Sequence, residues 1–172
     1  MKWKRSVLPV LVVVCFALAG CSSSTGSTQA AAYPDDKLVM QRGDTYSAGL
    51  WGGSLPDEVN MGQFTGMAAL LHLAVPEGGG ELFIDYDQTV TSGDFKTVLV
   101  KYGESVELMC EGTGAEEKSF TLTAGDYAIK AVGLDASSRL IAQIKASEGI
   151  EADIPGDAFD SSTPVTLEPL AA

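Results

Sequence analysis

The chain is expected to fold as an all-β protein, an antiparallel β-sandwich of jelly-roll-like form, and three observations lead there. From Phe64 to Ile144, apolar residues recur at every second position in short runs, the period of a strand with one buried face. Gly-bearing turns separate these runs at short intervals. No long helical period competes with them. Short strands at such spacing close a core most readily as two packed antiparallel sheets.

The N-terminus stands apart from this pattern. Lys2, Lys4 and Arg5 precede an apolar run from Val7 to Leu18, interrupted only by Pro9. A bilayer span takes about 20 apolar residues, so this run is short for one. A basic stretch followed by a short apolar one is the order of a targeting segment. Ser22 to Asp36 is rich in Ser, Thr, Gly and Ala and has no apolar period, which reads as a flexible tether. The expected divisions are a signal peptide over 1–20, a tether over 21–36, the sandwich over 37–148 and an acidic, disordered tail over 149–172.

Within the sandwich, strands are expected to begin near the apolar run Leu38 to Met40. Glycines 43, 49, 52 and 53 and Pro56 then punctuate a loop-rich stretch around Trp51, and Pro56 to Gln63 reads as a helical turn or a loop. Ala69, Leu71, Leu73 and Val75 alternate onto one face and end at the turn Glu77 to Gly80. Leu82, Ile84 and Tyr86 alternate next, with Phe83, Asp85 and Asp87 facing the other way, and Ser92-Gly93-Asp94 reads as a turn. Phe95 to Tyr102 is apolar on both faces, as in a strand whose outer face is covered. A strand through Val106, Leu108 and Cys110 leads to an acidic loop, Glu111 to Lys118. Phe120 and Leu122, then Tyr127, Ile129 and Ala131, then Leu140, Ala142 and Ile144 mark three further strands, separated by turns at Ala124 to Asp126 and Asp135 to Arg139. In the tail, Thr163 to Leu167 could add an edge strand.

Two resemblances add to this reading. Leu18-Ala19-Gly20-Cys21 resembles a bacterial lipobox, which implies diacylglycerol on the Cys21 thiol, cleavage before it and palmitate-type lipid at the new N-terminus. A diacyl anchor counts as two membrane signals and holds stably. The resemblance implies an extracytoplasmic protein held at the cell membrane, or at the outer membrane if the source has two. The second resemblance lies in Val75-Pro76-Glu77-Gly78, Glu81 to Ile84, Asp94 to Leu99 and Phe120 to Lys130. These runs look like the bacterial pre-peptidase C-terminal type of β-sandwich and are similar to small lipoprotein domains of Gram-positive bacteria. That likeness implies a noncatalytic accessory module, of a kind in which some members bind polymers or calcium. Where the pre-peptidase type often carries a second acid two residues after the first, this chain has Lys96 after Asp94.

Charge narrows the partners. The whole chain carries 11 Lys and Arg against 23 Asp and Glu, and loss of residues 1–20 removes three of those cations, leaving 8 against 23. So acidic a surface repels nucleic acid and anionic lipid. Cysteine adds no scaffold: Cys15 lies in the apolar run, Cys21 carries the expected lipid, and Cys110 is left without a partner. Cys110 is expected on the strand face of Val106 and Leu108 as a buried small hydrophobe.

Few residues suggest a site. His72, the single histidine, falls between Leu71 and Leu73 and is expected on the outer face of its strand. Asp85, Asp87 and Asp94 are the candidates for calcium, which prefers several gathered oxygens; otherwise they belong to a solvated acidic face, and no cofactor is expected. Trp51, in Leu50-Trp51-Gly52-Gly53, either plugs an open end of the sandwich or offers an exposed platform to a sugar or protein. The expected function is therefore a noncatalytic, membrane-anchored module that binds or positions a cell-wall glycan or an envelope protein. A spacer without ligand is the alternative class, and a small envelope hydrolase the third.

Overall fold

The computed structural model describes residues 29–156 and 161–170. The expected signal peptide, Cys21 and the first half of the expected tether, 21–28, lie outside the described residues. Among the described residues a short helix, α1 (Asp36–Val39), precedes ten strands: β1 (Thr45–Ser47), β2 (Leu50–Ser54), β3 (Glu58–Val75), β4 (Gly80–Lys101), β5 (Ser105–Glu111), β6 (Gly114–Leu122), β7 (Gly125–Ala146), β8 (Glu151–Ile154), β9 (Thr163–Val165) and β10 (Glu168–Pro169). The strands join in one sheet. Every pairing is antiparallel except that of the two-residue β10 with the end of β7. The all-β, sandwich-like class expected from the alternation is what the chain adopts.

Three long strands organise it. β3 has 18 residues and β4 and β7 have 22 each, and β7 lies between the other two. Along its free edge β4 pairs first with β6, over Gly80–Gln88, and then with β5, over Lys96–Lys101. The change of partner coincides with register shifts at Val90, Ser92 and Asp94 in β4, and β3 shifts register around Phe64. In β7 the matching point is Asp135, at φ 50°. Bulges at this level let long strands bend without losing their ladder. Leu82, Ile84, Leu140 and Ile144 from one half of the sheet and Leu71, Leu73, Leu99 and Ile129 from the other join one buried cluster. Inside β4 the Thr97 hydroxyl donates to Gln88 Oε1 at 2.6 Å, and Gln88 Nε2 donates to the Gly112 carbonyl, so these two buried side chains are satisfied, whereas the buried Ser138 hydroxyl at the bend has no partner among the described residues.

Behind the second half lies a smaller cluster. Val98, Val100, Val132 and Met67 face outward and are covered by Ala32, Val39, Tyr33 and Met40. Each covered aliphatic side chain is worth about 1.5–3 kcal/mol relative to exposure. The doubly apolar pattern of Phe95 to Tyr102 thus has the covered outer face it called for, and the N-terminal segment is the cover. Residues 29–36 belong to this cover and not to a free tether. Tyr33 donates to Glu111 Oε1 at 2.9 Å, Lys96 reaches Asp36 at 3.2 Å, and Lys130 Nζ donates to the Gln41 carbonyl at 2.7 Å.

Several local expectations are corrected. Leu38 to Met40 ends a helix and is no strand, because the Asp35 carboxylate accepts from Lys37 N and caps the turn. Pro56 to Gln63 is neither helix nor loop beyond Asp57: β3 starts at Glu58 and pairs on both edges. Ala69 leaves the face of Leu71 and Leu73, since Leu70 is the extra residue of a bulge that inverts the faces back to the next register shift at Phe64. A second bulge, at Met109, parts Cys110 from Leu108: Cys110 is buried as expected, Leu108 is exposed. The turns expected at Ser92 to Asp94 and Asp135 to Arg139 are bends inside continuous strands. The loop Glu111 to Lys118 shrinks to Gly112 and Thr113: Glu111 ends β5, and Glu116, Glu117 and Lys118 lie on the edge strand β6, where solvent meets one side. The tail read as disordered supplies β8, β9 and β10, which extend the sheet beyond Glu148.

Candidate functional site

Two places on the surface combine exposed chemistry with shape. The first is an aromatic rim. β2 pairs with the start of β3 so that Trp51 lies opposite the buried Met61, which puts the indole on the inward side of an edge strand. β1 pairs with β3 next along, Tyr46 opposite Gly66. Any Cβ at Gly66 would run into the β1 backbone, so glycine is what allows β1 to lie this close. The rings of Tyr46 and Trp51 are then 5.2 Å apart, and both lean on Phe64, at 5.7 and 6.0 Å. Phe64 in turn meets Phe95 edge-on at 6.2 Å.

Phe64 and Phe95 are fully buried, whereas Tyr46 keeps 41% and Trp51 38% of their surface in solvent. The two readings open for Trp51 therefore meet in one arrangement: one side of the indole closes the rim of the core, the rest faces water. Leu50, on the opposite side of β2, is 60% exposed. From Thr45 to Pro56 the chain carries no charge. Tyr46 had no sequence signal of its own, because its proximity to Trp51 depends on two strands docking side by side on β3.

The second place is a cleft of about 880 Å³ bordered by Arg42, His72, Tyr102, Asp126, Asp153 and the run from Pro164 to Leu167. His72 is on the outer face of β3 as expected, 3.5 Å from Asp153 through Nδ1. Its ring meets Tyr102 edge-on at 6.2 Å. The Arg42 guanidinium stands 4.6 Å over the Tyr102 ring and donates to Asp126. Lys130 Nζ lies 5.2 Å from the same ring. Burial, with Asp44 adding its charge, pushes the Tyr102 hydroxyl up to about 12, so the ring faces the cleft uncharged.

The acidic candidates end up as follows. Asp85 and Asp87 share an exposed face of β4, opposite Gln143 and Ile141 of β7, while Asp94 lies beyond the bend, opposite Leu134. Among the described residues no three His, Cys, Asp or Glu side chains are grouped to hold a metal ion. Cys110 is buried, and burial raises its thiol away from the reactive thiolate. Searched against known proteins, the chain matches no family model, no curated protein and no solved structure.

Proposed function

We propose that the chain is a membrane-anchored surface lipoprotein whose sheet domain binds or positions cell-wall glycan and catalyses no reaction. The observation that carries this reading is the pair Tyr46 and Trp51, tilted against a buried floor, Phe64, yet both more than a third exposed. Aromatic side chains fixed in this way present apolar faces to the C–H groups of a sugar, and they lose little freedom on binding because Phe64 already holds them. The uncharged run around them keeps the acidic character of the protein away from the contact.

The anchor half of the reading rests on the resemblance of Leu18 to Cys21 to a lipobox. Only eight residue steps separate Cys21 from Gln29, the first described residue, so a lipid on Cys21 would hold the sheet within about 30 Å of the membrane. Cells expressing the Cys21→Ser chain are expected to lose incorporation of labelled palmitate; undiminished labelling would remove the anchor.

The binding half is tested in the full chain carrying Trp3→Phe, in which Trp51 reports alone. Soluble cell-wall glycan fragments are expected to shift and protect its emission, and Trp51→Ala is expected to abolish retention on insoluble cell wall. Emission indifferent to glycan, together with unchanged retention of Trp51→Ala, would leave the spacer without ligand as the function.

A further inference from the structure

We propose that the cleft is a second binding site and that it takes an amphipathic organic cation, an ammonium or guanidinium head on an apolar body. Its volume, about 880 Å³, falls in the range of small-molecule sites. Leu73, Ile150, Val165 and Leu167 supply apolar lining, and Tyr102 and Tyr127 supply aromatic surface. Four carboxylates border it, those of Asp126, Glu148, Glu151 and Asp153, against one guanidinium and one histidine. Glu148 and Glu151 make no ion pair among the described residues, and Asp153 meets only His72, at 3.5 Å. An anionic head would face that field unfavourably, whereas a cationic head is drawn in by it.

The cleft already holds a cation in the manner proposed. The Arg42 guanidinium sits on the face of Tyr102 and donates to Asp126, which is the combination of ring face and carboxylate that recognises organic cations. Its side chain is 66% exposed and that of Asp126 55%, so solvent screens the pair and a ligand head can take its place. Arg42 is thus an internal occupant of the seat. The glycan reading of Trp51 plays no part in this inference, and neither stands or falls with the other.

The single histidine of the chain borders the cleft, so the ring-proton resonances of His72 report on it without labelling. The full chain is titrated at fixed pH with benzamidine hydrochloride, and in parallel with benzamide, which has nearly the same shape and no charge. Benzamidinium is expected to move the His72 signals saturably, and benzamide to bind about tenfold more weakly or less, the loss expected for one charge-assisted contact. Arg42→Ala, which vacates the seat, is expected to tighten benzamidinium several-fold, and Glu151→Gln with Asp153→Asn to weaken it. Unmoved His72 signals, equal binding of the neutral compound, or weaker binding by Arg42→Ala would each overturn the proposal. All three substituted positions are at the surface, and unchanged thermal melting confirms that each variant is folded.

Discussion

Phe64→Ala is expected to destabilise the protein by about 3–5 kcal/mol, the range for removing a buried phenylalanine ring, and to lower Tm by roughly 10 °C or more for a chain of this length. The ring is fully buried at the register shift of β3 and touches three other aromatic rings. The site has little room to collapse. A Cβ added at Gly133 would stand 2.7 Å from the Phe64 ring, so the neighbouring strand is already in contact with it. The same substitution removes the floor under Trp51 and Tyr46. In the full chain carrying Trp3→Phe, the emission of Trp51 is expected to move to the red and become more quenchable, even at temperatures where the variant is folded. Phe64→Leu refills part of the space and is expected to recover most of the stability. A melting temperature unchanged in Phe64→Ala would mean that Tyr46, Trp51 and Phe95 do not pack on this ring, and the rim would lose its support.

The second large effect belongs to Lys130. Its side chain is fully buried on the outer face of β7, with Nζ donating to the carbonyl of Gln41 and leaning on Tyr102. Burial lowers its pKa, and the charge of Asp44 opposes that shift without cancelling it. A cation is tolerated there because the Gln41 carbonyl and the charge of Asp44 offset part of its burial, while the stem packs beneath the N-terminal segment. Lys130→Ala leaves a carbonyl acceptor unmet and a gap where the stem packed, and is expected to cost about 2–4 kcal/mol. Lys130→Met leaves the same acceptor unmet but keeps most of the stem volume, so it is expected to cost less than Lys130→Ala. Melting temperatures should therefore fall in the order wild type, Lys130→Met, Lys130→Ala. If methionine proved as damaging as alanine, the ammonium and not the stem would be the fastening element. Hydrogen exchange at residues 29–43 gives an independent reading. Protection there should drop in Lys130→Ala before the remainder of the sheet is affected.

The parts legible in the sequence were those whose signal is local. Leu82, Ile84 and Tyr86 announce a strand because side chains alternate strictly across a pleat, and the structure places all three in the core. The doubly apolar run from Phe95 announced a covered outer face. It could not announce the cover, because Ala32 lies far upstream in a stretch whose composition reads as tether and Val39 in a run that reads as a strand. Ser92 to Asp94 and Asp135 to Arg139 have the composition of turns. They bend and do not turn because β7 and β4 remain paired on both sides of each bend, a condition no window of sequence contains. The two inverted faces have the same origin: a bulge adds one residue, and with a period of two that moves every residue on one side of it to the other face.

The sites divide in the same way. Trp51 stood out by residue type in a Gly-rich stretch, and it lies on the rim described above. Tyr46 became its partner only when β1 and β2 docked on β3. In the cleft, Arg42 and Asp126 are 84 positions apart and His72 meets Asp153 through the pairing of β3 with β8. No motif spacing links them. By itself, the sequence determined the all-β class, the period-two core, the burial of Cys110 and the outward face of His72, because each depends on a residue and its neighbours within one strand. The tertiary structure alone decided where the sheet bends, what covers its outer face and which charges and rings meet, because those depend on pairing between residues that the backbone brings together only after the long strands have folded over.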